Sequence, residues 1–231
     1  MERNLNMEEV SDGKLYGLND MVRAGCDDCT GCSACCCGMG TSIVLDPYDM
    51  YRLTTGLSET FEGLMAGKIE LNVVDGMILP NLAMSGSGGA CAFLNEAGRC
   101  SIHPHRPGIC RLFPLGRIYE NGSFRYFLQV HECRKENRSK VKVRRWIDTS
   151  ETKKYEEFVA RWHYFLKGLQ AELRSASAGQ SPEPAAGMER EKQVTLLILK
   201  LFYILPYDGK RDFYEQFEER MKMAAENGLK G

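Results

Sequence analysis

Residues 26–37 read Cys-Asp-Asp-Cys-Thr-Gly-Cys-Ser-Ala-Cys-Cys-Cys, so six of twelve positions are cysteine. A hydrophobic core has no use for that density. The gaps Cys26-x2-Cys29-x2-Cys32-x2-Cys35 let successive sulfurs turn onto one soft or borderline metal ion, as in zinc ribbons and ferredoxin loops, and curling around an ion makes the run a loop. Cys35, Cys36 and Cys37 are adjacent. Neighbouring thiols are hard to seat on one ion, so Cys35 and Cys36 are expected to address different metals, or to divide into one ligand and one packed thiol. A second group, Cys91-x8-Cys100-x9-Cys110, lies about 55 residues downstream, and Cys133 completes the ten; the last 98 residues hold none. Ligand groups so far apart in sequence need a fold to close them.

Thiols in an exported protein would read as disulfides. The amino terminus, Met1 to Val10, places charges and asparagines where a secretory signal has an apolar run. The expected compartment is the reducing cytoplasm, where clustered Cys-x-x-Cys spacings are more often metal or redox centres. The most apolar stretch, Val194 to Leu205, is interrupted by Lys200 and too short to cross a bilayer, so no membrane partner is expected. With 231 residues, 43% hydrophobic and 26% charged, the chain has the composition of an ordinary globular protein. Thirty basic against 31 acidic side chains exclude a strong basic field. The basic stretch Lys135–Arg145 resembles no base-reading module and is expected to be a solvated linker rather than a nucleic-acid contact.

Residues 1–25 are polar and without periodicity, and a leader with at most a helical turn or two is expected there. Thr41–Asp46 reads as a short strand running into a helix at Pro47, and a second short helix follows near 59–66. Ile69–Leu79 suggests a strand pair turning at Asp75-Gly76, residues 91–102 a small hairpin turning at Ala97-Gly98, and Ile118–Val130 a hairpin on the Asn121-Gly122 signal. Beyond Cys133 the pattern becomes helical. Tyr155, Phe158, Val159, Trp162, Phe165, Leu166 and Leu169 recur at i, i+3, i+4, i+7 spacing, an amphipathic stripe expected to pack in the core. A small-residue, proline-bearing linker, 175–187, precedes two more helices, near 189–204 and 210–226. The expected fold is α+β: a polar leader (1–25), a small irregular cysteine-rich metal-binding domain with short hairpins (26–133), and helices (134–231) packed against it.

Cys29-Thr-Gly-Cys32-Ser-Ala-Cys35-Cys36, followed by Ile43-Val-Leu-Asp46 and Asp49-Met-Tyr-Arg52-Leu53, resembles the YkgJ-like cysteine-cluster proteins, named for a CxxCxxCC motif and described as zinc- or iron-chelating. The second half of that signature follows in order: Ala90-Cys91-Ala-Phe93-Leu94, Gly98-Arg99-Cys100-Ser101-Ile102, Arg106-Pro107 and Cys110-Arg111-Leu-Phe113-Pro114. Position by position, the resemblance implies metal ligands at Cys29, Cys32, Cys35, Cys36, Cys91, Cys100 and Cys110. Cys133 joins them as an eighth candidate, with a buried thiol at the end of the hairpin as its alternative. Cys26 and Cys37 extend the run beyond the motif. A more distant likeness, to flagellin lysine N-methylase, brings in S-adenosylmethionine-dependent protein lysine methyl transfer as an alternative.

Neither metal template is reproduced in full. The ferredoxin run ends in Cys-Pro, which is absent, and zinc sites close on paired C-x2-C or histidine ligands rather than the eight- and nine-residue gaps seen here. A radical S-adenosylmethionine loop, C-x3-C-x2-C, fits Cys32 and Cys36 but meets Met39 in third place. The expectation is an iron-sulfur protein, [4Fe-4S] preferred, acting in electron transfer or as an oxidoreductase component with a protein partner. The alternative is structural zinc holding an interaction module. Arg106 and Arg111 are expected either to neutralise thiolate charge or to pair with carboxylates; His103, His105 and His131 are expected to cap turns or face solvent, and His163 to pack on its helix.

Overall fold

The computed structural model describes residues 6–30, 32–85, 88–178 and 184–231. The chain begins with one helical turn, α1 (Met7–Val10), capped by the Asn6 side chain. Two strands follow, β1 (Ser11–Tyr16) and β2 (Met21–Gly25). The polar leader is therefore paired backbone from residue 11 onward. Only Ser11 and Tyr16 of β1 are buried, so the strand carries no alternating pattern to read; its partner more than a hundred residues away holds it extended.

The helix at Pro47 forms as α2 (Pro47–Leu57), one residue longer than its Thr55-Gly56 end suggests. Its start is doubly tied: Asp46 Oδ1 accepts from Asp49 N (2.8 Å) and Asp49 Oδ2 accepts from Asp46 N (3.1 Å), a capping box with proline in the first turn. Thr41–Asp46 is not a full strand. It makes one bridge, Val44 to Asn81, and Leu45 N donates to Pro80 O (2.9 Å), so it only runs beside the hairpin that follows. After α3 (Phe61–Met65), β3 (Ile69–Val74) and β4 (Met77–Leu82) pair antiparallel. Asp75 and Gly76, with φ +49° and +84°, make the tight turn that fits two right-twisted strands.

β5 (Met84–Ser85) and β6 (Ala90–Cys91) form a minimal pair. The hairpin expected over 91–102 reduces to a single bridge, Leu94 to Cys100, closed by a turn in which Gly98 N donates to Asn95 O (2.9 Å). Five residues are too few for a ladder on each side of that turn. Then come α4 (Gly108–Leu112) and the hairpin β7 (Leu115–Glu120) and β8 (Ser123–Gln129), turning at Asn121-Gly122. β1 adds to β8, giving a three-stranded antiparallel sheet ordered β1-β8-β7. The basic stretch is partly structured as well: β9 (Ser139–Lys142) pairs with β2, and α5 (Val143–Ile147) follows it.

Three longer helices complete the chain: α6 (Thr152–Ala178), α7 (Pro184–Leu199), which runs into a wider π-type turn over Lys200–Ile204, and α8 (Phe213–Glu226). The expected linker 175–187 is thus helical at both ends; its centre, 179–183, lies outside the described residues. Alanine costs a helix little and Pro184 suits a first helical position, so small residues here extend helices rather than break them. The stripe from Tyr155 to Leu169 is core: Tyr155, Phe158, Val159, Trp162, Phe165 and Leu169 are buried. Phe158 packs edge to face on Phe213 and Phe217, Phe217 continues to Trp162 and Trp162 to Phe202, and Tyr48 of α2 packs against both Tyr155 and Phe213. The helical and cysteine-rich parts therefore share one core.

A polar bond ties the helical part of that core to the segment before α2. Tyr203 Oη donates to Leu45 O (3.0 Å) with both groups buried. Tyr203→Phe leaves the carbonyl unpaired, and urea denaturation should show a loss of about 1–3 kcal/mol; an unchanged midpoint would show that the bond contributes nothing.

Candidate metal centre

The first cysteine run folds as two short 3-10 turns, Asp27–Cys29 and Ala34–Cys36, chained by Cys29 N to Cys26 O (3.1 Å), Cys32 N to Cys29 O (3.0 Å) and Cys36 N to Ser33 O (2.8 Å). Each turn swings the next thiol back toward the same side. A backbone bridge between Cys37 and Ala90, with Gly38 N donating to Gly89 O (2.9 Å), lays this run against β6 and so brings it to Cys91. The Leu94–Cys100 bridge and Ser101 N to Phe93 O (2.8 Å) return the chain past Cys91. α4 delivers Cys110. Its first residue is clamped by α2, because Gly108 N donates to Asp49 Oδ1 (2.6 Å) in a buried bond.

The result is one cavity of about 80 Å³ with Cys29, Cys32, Cys35, Cys36, Cys91, Cys100 and Cys110 in its wall. All seven cysteines of the two-part signature meet there. All ten cysteines are free thiols. The rest of the wall is mostly apolar, from Met39, Ile43, Leu82, Met84 and Phe113, with Arg99, Arg106 and His103 as polar members. Among the described residues no three histidine, cysteine, aspartate or glutamate side chains are gathered tightly enough to hold one ion. The thiols ring the cavity instead. As a donor set they suit a thiolate-bound metal or cluster: soft sulfur, little competing oxygen, and an apolar shell.

Three cysteines are not in that wall. Cys26 is buried with its Sγ 3.3 Å from Cys29 Sγ, behind the first ligand candidate. Cys37 pairs its backbone with Ala90, and its free thiol is not in the wall. Cys133, read as an eighth ligand, lies off the cavity too, because the chain after it turns toward β2: Lys135 Nζ donates to Thr30 O (3.2 Å) and Ser139 pairs with Gly25.

Arg106 and Arg111 divide. Arg106 lines the cavity, and its charge favours thiolate at Cys29, Cys35 and Cys100. Arg111 is buried and turned away, donating Nε to Arg106 O (3.0 Å) and Nη1 to Thr149 Oγ1, with its guanidinium over the rings of Tyr48 and Tyr155. It braces the loop that carries Arg106. His163 stacks on Tyr119 with centroids 3.6 Å apart. Asp49 belongs to the quoted signature, but its role in anchoring α4 through Gly108 is not readable from it.

Burial holds the thiols of Cys91, Cys100 and Cys110 above the ordinary range and pushes Cys29 up to about 12, there helped by the neighbouring Cys26. The adjacent pair behaves differently. A hydrogen bond from Cys36 brings Cys35 down to about 6 against the opposing effect of burial, and the same bond raises Cys36. The pair gives up its first proton easily and its second with difficulty. A metal must therefore displace protons from most of these sulfurs, so affinity rises with pH across the neutral range. In chelator-treated protein, iodoacetamide near neutral pH should alkylate Cys35 before the other cavity thiols, as peptide mapping by mass spectrometry would show; equal labelling of all seven would refute the assignment.

Comparison with known families gives one match: residues 28–138 fit the family model "CxxCxxCC: Putative zinc- or iron-chelating domain". The matched span contains all seven cavity cysteines. No curated protein and no solved structure matches the chain.

Proposed function

Because residues 28–138 belong to the CxxCxxCC family, whose description is of zinc or iron chelation, we propose that the seven-thiol cavity holds an iron-sulfur cluster, [4Fe-4S] preferred, and that the protein serves electron transfer with a protein partner. The observation that carries this reading is the convergence of seven cysteines on one cavity. A single tetrahedral zinc uses four ligands, so seven thiols around one space favour a polynuclear centre. When bound, such a cluster supplies reversible one-electron transfer.

The chain's own residues do the rest. The Cys37–Ala90 bridge and the α2–α4 clamp bring the two halves of the cysteine set to the wall of one cavity. Arg106 offsets part of the charge that several thiolates bring together, and this raises the potential of a centre held there. Ile43, Leu82 and Phe113 set apolar surface beside the half-buried sulfurs.

The test is iron, zinc and acid-labile sulfide analysis, with an electronic spectrum, on protein purified without oxygen. Brown protein with iron and sulfide near stoichiometric is the expected result. Colourless protein holding only zinc, and unfolding when the zinc is chelated, would instead establish a structural metal module. No helix among the described residues is long and apolar enough to cross a membrane.

A further inference from the structure

On the far side of α4 from the thiols lies a second cavity, of about 460 Å³, between β7, the start of α2 and one face of α6. That volume is in the range of about 300–1,000 Å³ usual for small-molecule sites. Its walls are mixed: Leu45, Leu112, Leu115, Val159, Trp162 and Leu166 form an apolar part, and charged and polar side chains the rest. Ile109 of α4 belongs to the walls of both cavities.

Arg117 of β7 lines this space and is short of partners. Its Nε is buried and donates to nothing, and the hydrogen bonds of the group go to neutral phenols, a long one from Nη2 to Tyr155 Oη (3.4 Å) and one with Tyr119. Among the described residues no ion pair includes it. The groups around it are rings and phenols: Phe124 and Tyr155 lie 5.3 and 5.8 Å from the guanidinium carbon. Neutral aromatic neighbours stabilise a cation only in part, whereas a buried guanidinium ordinarily meets a carboxylate. Four acids are near: Asp46, Asp49 and Asp75 line the same wall and Glu156 lies close enough to feel the Arg117 charge, but none forms an ion pair with it. Asp46 and Asp49 cap each other's backbone, and the second Asp49 oxygen accepts from Gly108. Lys167 and Arg174, both exposed on α6, add basic side chains to the wall.

We propose that this cavity binds a small organic anion, an apolar chain or ring ending in a carboxylate, with the carboxylate on Arg117 and the apolar part against Trp162 and Leu166. Guanidinium and carboxylate match in geometry as well as charge, and the apolar part of the wall gives the tail its binding energy. Metal content does not enter the argument, so the proposal stands or falls separately from the iron-sulfur reading.

The 231-residue protein would be titrated with octanoate, octan-1-ol and octylammonium by isothermal calorimetry, with tryptophan fluorescence of a Trp146→Phe variant, which leaves Trp162 as the only emitter, as a second readout. Octanoate should bind saturably at one per chain, and the alcohol and the ammonium at least tenfold more weakly. Arg117→Met should weaken octanoate at least tenfold and leave the alcohol unchanged. Absence of saturable octanoate binding, equal affinity for the alcohol, or an unaffected Arg117→Met variant overturns the proposal. Should Arg117→Met fail to fold, Leu166→Trp, which fills a half-buried part of the wall, must abolish octanoate binding; unchanged binding in that variant also overturns it.

Discussion

Changing Cys35 and Cys110 together to serine is expected to lower metal affinity by at least about a hundredfold, beyond the about 10–100-fold that the loss of a supporting residue costs. The pair takes one sulfur from each half of the constellation. Cys35 sits in the turn Ala34–Cys36, and Cys110 on α4, and both line the same cavity. Serine keeps the volume but replaces a soft thiolate with a hydroxyl that does not ionise at neutral pH, so it is a poor ligand for zinc and for iron-sulfur centres alike. Cys133→Ser is the control. Its side chain is off the cavity wall, and metal per chain should stay at the wild-type level in elemental analysis. Loss of metal in Cys133→Ser, or retention in the double variant, would mean that the centre lies elsewhere.

The second large effect belongs to a residue with no side chain. A Cβ on Gly108 would lie 2.3 Å from Tyr155 Oη and 3.6 Å from Asp49 Oδ1. Tyr155 is fully buried, so it has no room to yield. Gly108→Ala should therefore push α4 off the Asp49 carboxylate, combining overpacking with the loss of a buried bond to a charged acceptor, at a cost of about 3 kcal/mol. For a chain of this size that is a fall of roughly 10 °C in Tm. Because Cys110 rides on the same short helix, metal affinity should fall with stability. Gly88→Ala makes the comparison, since nothing lies within 4 Å of a Cβ placed there. Calorimetry showing the two variants equally stable would remove the clamp from the account of the site.

Local signals were readable wherever a segment's conformation depends on its own residues. Asn121-Gly122 and Asp75-Gly76 specify tight turns through positive φ, Asp46-Pro47 starts a helix, and the apolar stripe of α6 buries itself. Residues 11–25 and 139–142 were not readable as strands. β1 is mostly exposed and β9 has no buried residue, so neither shows alternation; each is extended because its backbone pairs with a strand remote in sequence.

The same division runs through the site. Residue type and spacing alone determined that the chemistry is that of clustered thiolates, since no other arrangement accounts for six cysteines in twelve residues. They also separated Cys26 and Cys37 from the motif. Tertiary structure decided which sulfurs share a space, because the gap from Cys37 to Cys91 closes only through the pairing of Cys37 with Ala90 and the hairpin β3–β4 between them. It also sent Arg106 to the thiols and Arg111 into the core, five residues apart on a loop and short helix whose direction is set by Asp49 of α2. Spacing along a chain limits which ligands a turn can present together, but only packing between distant segments places two such turns around one cavity.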